Sequence, residues 1–303
     1  MRCCDERWAL DNFSQRYRVP TTGAAAEVEL RVIGAVWGVN GYTTRLEANL
    51  LGDQLSLTPE SKLLDIGAGR GWPGLYLAER HGCRVVLSDL PKEGLAIALE
   101  TARQRHLAGR ASAVVASARQ LPLLPSVFDA VVHTDVLCCL SGKLAALRGS
   151  RQVLKPGGRT AFFTIYIPGG LSGQSRRRAL AAAPHYGWSR ASNVQLMRSA
   201  GFIDIDETDC TDRYLDTLRG WYDHSSDRED ELVALWGADL FKERQGARLA
   251  AIEAVQDGLQ RRVLISASKR PKRSTQSMGC VPGEAAPNAE IRSAAFSAVA
   301  VEV

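Results

Sequence analysis

The stretch that decides the fold is Leu63-Leu-Asp-Ile-Gly-Ala-Gly-Arg-Gly-Trp-Pro-Gly-Leu-Tyr-Leu-Ala-Glu79. It begins with an apolar run at 63–66, continues with three glycines at alternate positions, and takes a helical pattern from Trp72. Glycine accepts positive φ and has no side chain, so a ligand can lie directly against the backbone of such a turn. The helix that follows offers unpaired N–H groups to an anion. The stretch therefore predicts a strand, a ligand-binding turn and a helix.

The spacing of the glycines excludes two common phosphate-binding turns. The dinucleotide fingerprint needs glycine at its sixth position, which counted from Gly67 is Trp72, and the Lys-Ser/Thr pair of a P-loop is missing. The pattern that remains, Asp-x-Gly-x-Gly-x-Gly, resembles motif I of the class I S-adenosylmethionine-dependent methyltransferases. The resemblance implies that Gly67, Ala68 and Gly69 face the methionine part of the cofactor, with Asp65 in its hydrogen-bond network. The alternative is an ordinary strand-to-helix turn with surplus glycines.

Composition and charge limit the classes of protein that this chain can belong to. With 303 residues and 45% apolar residues, it can form one large α/β domain with an insertion or two small domains. The net charge of +5 lies partly in the last 35 residues, so the body is too weakly basic to indicate a nucleic-acid partner. The seven cysteines show no zinc spacing and indicate reduced thiols in the cytoplasm. Neither a signal peptide nor a membrane span is expected.

The next strand supplies a candidate ligand for ribose. The segment Cys83-Arg-Val-Val-Leu-Ser-Asp89 ends in a carboxylate roughly 20 residues after the glycine turn. A carboxylate there can accept hydrogen bonds from two ribose hydroxyls. We therefore expect Asp89, with Leu90 beside it, to bind the cofactor, although a surface acid at a strand end is the alternative.

A third strand at 113–117 precedes a stretch that resembles the adenine-binding segment of the family. The family usually has Asp-Ala where Ser117 and Ala118 stand. A serine hydroxyl can still meet the adenine amino group, although more weakly than a carboxylate. The resemblance therefore implies that Ser117 and Ala118 contact the adenine.

The fourth strand, at 127–133, leads to the candidate catalytic residues. Ligands in doubly wound sheets bind beyond the carboxyl ends of the strands, so His133 and Asp135 are expected to face the pocket. His133 is a candidate general base or cofactor neighbour. The alternative is a histidine packed against the cofactor without proton transfer. The Pro-Pro motif that methyltransferases of exocyclic base amines often carry here is absent.

The segment before the glycine turn reads as helical. Residues 1–25 are either a loose arm or a short helix, and a helix is expected at 27–37. Thr44 and Glu47 have capping-box spacing, which predicts a helix over 45–56. In related methyltransferases the segment just before this helix closes over the cofactor, which makes Tyr42 a candidate contact.

The second half of the chain contains the candidate substrate residues. Residues 168–178 are expected to form a flexible basic loop after the fifth strand, and His185 and Tyr186 are expected to line the entrance for substrate. A solvated connection is the alternative. Ser192 and Gln195 again have capping-box spacing and predict a helix that ends at Gly201.

About 50 residues separate the sixth strand, at 202–208, from the last strand, at 261–268. They read as two or three helices and resemble the lids of small-molecule methyltransferases, with Trp221 as a candidate substrate contact. Acidic residues outnumber basic ones two to one here, which favours a cationic amine as substrate. A solvated charged face is the alternative.

These observations predict an α/β fold with a doubly wound, seven-stranded, mostly parallel sheet. The expected organisation is an N-terminal helical arm or cap at 1–56, a methyltransferase domain at 57–268 with a lid inserted at 209–260, and a disordered basic tail at 269–303. The resemblance implies an S-adenosylmethionine-dependent enzyme that methylates N, O or C of a small molecule, with no metal. The alternatives are an RNA or protein methyltransferase and a non-catalytic cofactor-binding or scaffold protein.

Overall fold

A seven-stranded sheet organises residues 4–272, the part of the chain that the computed structural model describes. The strands are β1 Lys62–Ile66, β2 Arg84–Asp89, β3 Ala111–Val115, β4 Phe128–Thr134, β5 Leu154–Tyr166, β6 Phe202–Asp209 and β7 Arg261–Lys269. Their order in the sheet is β3-β2-β1-β4-β5-β7-β6. Strand β7 is antiparallel to both of its neighbours, while the pairs from β3 through β5 are parallel. The predicted fold class is confirmed.

Helices connect the strands, and three of them precede the first strand. They are α1 Cys4–Arg18, α2 Ala24–Ile33, α3 Arg45–Leu55, α4 Gly74–His81, α5 Lys92–Gln104, α6 Lys143–Val153, α7 Gly173–Ala182, α8 Asn193–Ala200, α9 Thr211–Ser226, α10 Glu229–Trp236 and α11 Ala238–Gln256. A short 3-10 helix spans Leu137–Cys139. No helix among the described residues is both long and apolar enough to cross a bilayer.

The strand order reverses between β1 and β4, and this reversal sets the position of the site. The chain moves outward from β1 through β2 to β3, then returns to pair β4 with the other side of β1. The connections after β1 and β4 therefore leave in opposite directions and open a crevice at the carboxyl ends of these strands. The glycine turn after β1 lies at this crevice.

Both predicted capping boxes are confirmed, because they depend on local geometry alone. Thr44 accepts a hydrogen bond from the Glu47 backbone N–H at 3.2 Å, and the Glu47 side chain accepts from the Thr44 N–H at 3.0 Å. Ser192 and Gln195 form the same reciprocal pair at the start of α8. Helix α8 ends at Gly201, which adopts φ of 88°.

Several expected boundaries are wrong for identifiable reasons. Residues 173–182 form α7 instead of a flexible loop, because Ser172 caps the helix and alanine and arginine favour it. Helix α2 ends at Ile33 instead of residue 37, because Gly34 adopts the left-handed conformation. Of the two alternatives for the N-terminus, the helix is observed.

The C-terminal boundary also differs from the expectation. Lys269, assigned to the tail, is the last residue of β7 and pairs with Phe202 of β6. Residues 273–303, where most of the disordered basic tail is predicted, lie outside the described part of the chain. Three helices, α9 to α11, fill the interval between β6 and β7 and pack against α2 and one another.

Candidate active site

Helix α1 lies across the carboxyl edge of the sheet. Its Glu6 pairs with Arg119, just after β3, at 3.1 Å. Its last residue, Arg18, pairs with Glu93 at the start of α5, at 2.8 Å. Both partners follow the carboxyl ends of their strands, so α1 covers the edge at which ligands bind in this class of sheet.

The glycine turn has no room for side chains. Gly67 and Gly69 have φ of 70° and 51°, in the left-handed region. A Cβ on Gly67 would lie 2.4 Å from Cγ2 of Val136, and one on Gly69 would lie 2.9 Å from Oη of Tyr17. The backbone N–H groups of Gly67 and Ala68 both donate to Ser88 O, which anchors the turn to the end of β2. The two glycines are therefore required by both backbone conformation and close packing.

Asp65 supplies an unsatisfied acceptor beneath this turn. One carboxylate oxygen, Oδ2, accepts from the backbone N–H of Gly74, the first residue of α4, at 2.9 Å. The other, Oδ1, is buried and has no hydrogen-bond partner among residues 4–272. Burial raises the pKa of Asp65 well above its ordinary value. A buried acceptor without a partner is costly, and a donor from a bound ligand would relieve that cost.

Asp89 lies beside the glycine turn, where the sequence predicts the ribose ligand. Its Oδ2 accepts from the backbone N–H of Gly69 at 2.7 Å, and its Oδ1 accepts from that of Leu90 at 2.7 Å. The hydroxyl of Tyr17, on α1, also donates to Oδ2, at 3.3 Å. Burial raises the pKa of Asp89 to about 6, although these three hydrogen bonds lower it. A ribose hydroxyl would have to share or replace the bond from Tyr17.

Sequence reasoning missed Tyr17. The tyrosine belongs to an N-terminal segment without a motif, and no local pattern links it to a carboxylate 72 positions later. Its contact with Asp89 arises only because α1 crosses the sheet edge.

Ser117 and Ala118 lie beyond the end of β3, which stops at Val115 instead of residue 117. The segment remains next to Asp89, because Ala116 N–H donates to Asp89 O at 2.9 Å. However, the Ser117 hydroxyl already accepts from the Arg119 backbone N–H at 3.2 Å. Its oxygen is therefore partly engaged in a local turn.

Asp135 is held by a buried arginine that sequence reasoning missed. Arg262, on β7, donates from Nε to Oδ1 at 3.0 Å and from Nη2 to Oδ2 at 2.9 Å. The same guanidinium donates to Glu47 at 2.9 Å and to the Thr43 hydroxyl at 2.8 Å. The Arg262 side chain is fully buried. The only signal in the sequence was a second arginine directly before the apolar run Val263-Leu-Ile265.

This network changes the role expected for Asp135. Both of its oxygens accept hydrogen bonds from the Arg262 guanidinium in a bidentate ion pair. Asp135 therefore has no carboxylate oxygen that is not already hydrogen-bonded. Because it connects the end of β4 to Thr43 and the capping residue Glu47, it is suited to positioning the segment that carries Tyr42.

His133 does not have the surroundings of a general base. Its imidazole is 2% exposed and stacks on Phe162 at 4.1 Å between ring centroids. Burial lowers the pKa of His133 to about 3. Its Nδ1 has no hydrogen-bond partner in the described residues. The imidazole is therefore neutral near neutral pH, and this geometry favours the packed-histidine alternative.

The substrate candidates fall into two groups. Tyr42 and Trp221 line one cavity of about 110 Å³ between the 38–42 loop, the end of α1 and the helices α9–α11. His185 and Tyr186 do not line it. His185 is exposed and stacks on Trp8 of α1 at 4.9 Å, while the Tyr186 backbone N–H donates to Cys138 O at 2.9 Å.

Arginines lie over the two tryptophan rings of the lid. Arg248 lies over the Trp221 ring at 5.1 Å, and Arg244 lies over the Trp236 ring at 4.4 Å. The protein's own guanidinium groups thus occupy these rings. The expectation of a cationic amine, based on the acidic composition of 209–260, is therefore not supported by the side chains that reach the cavity.

In the part of the chain that the structure covers, no three His, Cys, Asp or Glu side chains are arranged to hold an ion.

Comparison with known proteins identifies similarity to methyltransferases. The family described as a methyltransferase domain matches residues 64–162. Phosphoethanolamine N-methyltransferase of Triticum aestivum is 28% identical over 190 residues, which are 62% of this chain and 37% of the wheat protein. Erythromycin 3''-O-methyltransferase of Saccharopolyspora erythraea is 26% identical over 72% of this chain and 74% of its own length. The chain thus spans little more than a third of the wheat relative.

A solved structure shares the fold. Phosphoethanolamine N-methyltransferase 2 of Haemonchus contortus, solved with phosphomonomethylethanolamine and S-adenosylhomocysteine, has a TM-score of 0.72. The similarity covers 85% of this chain and 60% of that one, at 18% identity.

Proposed function

We propose that the chain is a class I S-adenosylmethionine-dependent methyltransferase, which transfers a methyl group from S-adenosylmethionine to N, O or C of a small molecule. The observation that carries this proposal is the position of Asp89, whose carboxylate is hydrogen-bonded to the backbone of the glycine turn itself. The side-chain-free cradle at Gly67 and Gly69 and the unsatisfied oxygen of Asp65 also fit this cofactor.

We assign the residues of this chain to binding and positioning. Asp89 would bind the ribose hydroxyls, the Gly67–Gly69 backbone the methionine part, and Leu90 with the 117–118 segment the adenine. When bound, the cofactor supplies a methyl group that is already activated on a sulfonium. The protein's task is then to align the acceptor and exclude water. Helix α1 and the lid would exclude water. The Arg262–Asp135 pair would fix the position of Thr43, which follows Tyr42 in the chain.

A small molecule is the acceptor that the structure supports best. The cavity beside Tyr42, of about 110 Å³, is lined in part by the three lid helices, and this volume suits a group of a small molecule. The relatives named above also act on small molecules, according to their names. We propose the cytoplasm as the compartment, since Cys83, Cys138, Cys139 and Cys210 are free thiols.

The test begins with calorimetric titration of the full chain with S-adenosylhomocysteine. We expect saturable binding. Incubation with labelled S-adenosylmethionine and fractionated cell metabolites should then transfer label to a small molecule. Absence of binding up to millimolar ligand would overturn the proposal, and label appearing only in RNA or protein would change the acceptor class.

The pH dependence of cofactor binding should follow the ionisation of the Asp89 carboxyl group. Its pKa of about 6 in the free protein means that the carboxyl becomes protonated as the pH falls through 6. Ribose hydroxyls donate to the charged form, so binding lowers this pKa and releases a proton. We expect affinity to fall below pH 6 by up to about tenfold per pH unit. Calorimetry between pH 4.5 and 7.5 measures this slope, and Asp89→Asn should flatten it.

Replacement of His133 should leave the pH–rate profile unchanged. A buried imidazole with a pKa of about 3 cannot provide an ionisation near neutral pH. We expect His133→Gln to lower stability through lost packing on Phe162, while kcat/KM keeps its pH dependence. Disappearance of an ionisation near pH 6–7 in this variant would restore His133 as a base.

A further inference from the structure

The cavity beside Tyr42 adjoins the site on two sides. Arg70, which belongs to the glycine turn, forms part of its wall. On the other side the Tyr42 ring lies edge-on to Tyr214 at 5.0 Å, and Arg262 lies over Tyr214 at 5.9 Å. The cavity is therefore placed between the turn that would hold the cofactor and the Arg262–Asp135 pair. An acceptor bound here would be next to the proposed methyl donor.

The charged residues that line this cavity are mostly basic. Four arginines and two glutamates contribute to its wall: Arg16, Arg70, Arg244, Arg248, Glu29 and Glu243. The two glutamates are already engaged. Glu29 accepts from the backbone N–H groups of Trp37, Gly38 and Val39 at 2.8–3.1 Å, and exposed Glu243 pairs with Arg16 at 3.5 Å.

Arg70 is also engaged, since it donates to the Thr21 hydroxyl at 2.7 Å and to the carbonyls of Tyr17 and Val19. It fastens the end of α1 to the glycine turn. Arg244 and Arg248, both on α11, keep N–H groups that are not used in hydrogen bonds within the described part of the chain.

Arg244 has the most available guanidinium. Its flat face covers Trp236 at 4.4 Å, and across residues 4–272 it makes no hydrogen bond and no ion pair. Burial, together with the neighbouring charges of Arg16 and Arg70, lowers the pKa of Arg244 to about 10, although Glu243 acts in the opposite direction. A partly buried cation next to other cations is an unfavourable arrangement unless an anion joins it.

Arg248 lies one helical turn after Arg244, on the same face of α11. Its Nη1 donates to Trp221 O at 3.2 Å, to Ser225 Oγ at 2.8 Å and to Gln245 Oε1 at 2.7 Å. These bonds all use one nitrogen and hold the side chain in place. The remaining edge of the guanidinium is available for a ligand.

We propose that Arg244 and Arg248 form an oxyanion subsite for the methyl acceptor, so that the acceptor carries a phosphate or a carboxylate group. Guanidinium groups stacked on indole rings keep their N–H edges free, and such edges bind oxyanions in a bidentate way. The proposal rests on the proposed methyltransferase function for the identity of the ligand, while the anion site itself rests on the two arginines.

Direct binding of simple anions tests the subsite without any methyl transfer. The full chain, with and without S-adenosylhomocysteine, is titrated calorimetrically with inorganic phosphate and, separately, with acetate at constant ionic strength. We expect phosphate, acetate or both to bind saturably. If only phosphate binds, the acceptor carries a phosphate group. If acetate binds, alone or as well as phosphate, a carboxylate group on the acceptor is sufficient for binding to the subsite. No binding of either anion overturns the proposal.

Matched variants locate the binding. Arg244→Gln and Arg248→Gln should each weaken anion binding about tenfold or more, while Lys242→Gln, an exposed residue of the same helix, should not. Arg244→Lys keeps the positive charge but loses the bidentate guanidinium. Its anion affinity should therefore lie between those of the wild type and Arg244→Gln. Equal weakening by Lys242→Gln would indicate a non-specific charge effect and contradict the subsite.

The same variants separate this proposal from the proposed function. S-adenosylhomocysteine affinity should stay unchanged in Arg244→Gln and Arg248→Gln, which also shows that the variants fold. If the cofactor product fails to bind wild type while phosphate still binds and depends on Arg244, the methyltransferase proposal fails and the anion site remains. If the product binds but neither anion does, only the subsite fails.

Discussion

Arg262→Met is expected to lower the free energy of unfolding by about 3–5 kcal/mol, the usual cost of removing one partner from a buried ion pair. Methionine fills much of the volume but leaves two carboxylates, on Asp135 and Glu47, without their common partner. Burial alone would lower the pKa of Arg262, and the two carboxylates raise it above its ordinary value instead. The guanidinium is therefore stabilised as a cation, and its loss leaves an uncompensated negative charge.

The adjacent residue supplies the control. Arg261 is exposed, and its contact with Asp209 at 3.6 Å is a surface ion pair. Arg261→Gln should change stability by less than about 1 kcal/mol. Urea unfolding of both variants, followed by circular dichroism, measures the difference. Equal midpoints for the two variants would mean that Asp135 and Glu47 are not buried as charges.

Asp89→Ala should weaken binding of S-adenosylhomocysteine by about 1–3 kcal/mol, because polar groups that need this carboxylate lose their acceptor. The variant removes the proposed ribose ligand and also the bonds to Gly69, Leu90 and Tyr17. Calorimetry measures the dissociation constant, and thermal unfolding measures any change in stability. An unchanged dissociation constant would remove Asp89 from the cofactor site.

An exposed acid nearby separates local from general charge effects. Glu100 lies on α5, one element further along the chain, and its carboxylate pairs with Arg103 on the surface. Glu100→Ala removes the same charge without touching the turn. We expect its dissociation constant to match wild type. A similar loss in both variants would indicate that net charge, not the ribose contact, controls affinity.

Local features could be predicted from the sequence, and most of these predictions were right. The two capping boxes, the left-handed Gly201 and the strand that ends in Asp89 each depend on a few neighbouring residues. The prediction of a loop where α7 lies was wrong, because one serine cap and a run of helix-forming residues outweighed the loop-like composition. The expectation of a cationic amine stays a prediction, because composition counts charges without saying which of them face inward.

The sequence by itself determined the sheet, the glycine turn and the acid beside it, because strand and turn propensities and short-range spacing are encoded locally. Only the tertiary structure decided what surrounds them. Tyr17 reaches Asp89 because α1 crosses the sheet edge, and Arg262 joins Asp135 and Glu47 across 127 and 215 positions of chain. The direction in which Arg244 and Arg248 point depends on how α11 packs against α9. Contacts between distant segments follow from packing, and no local pattern records them.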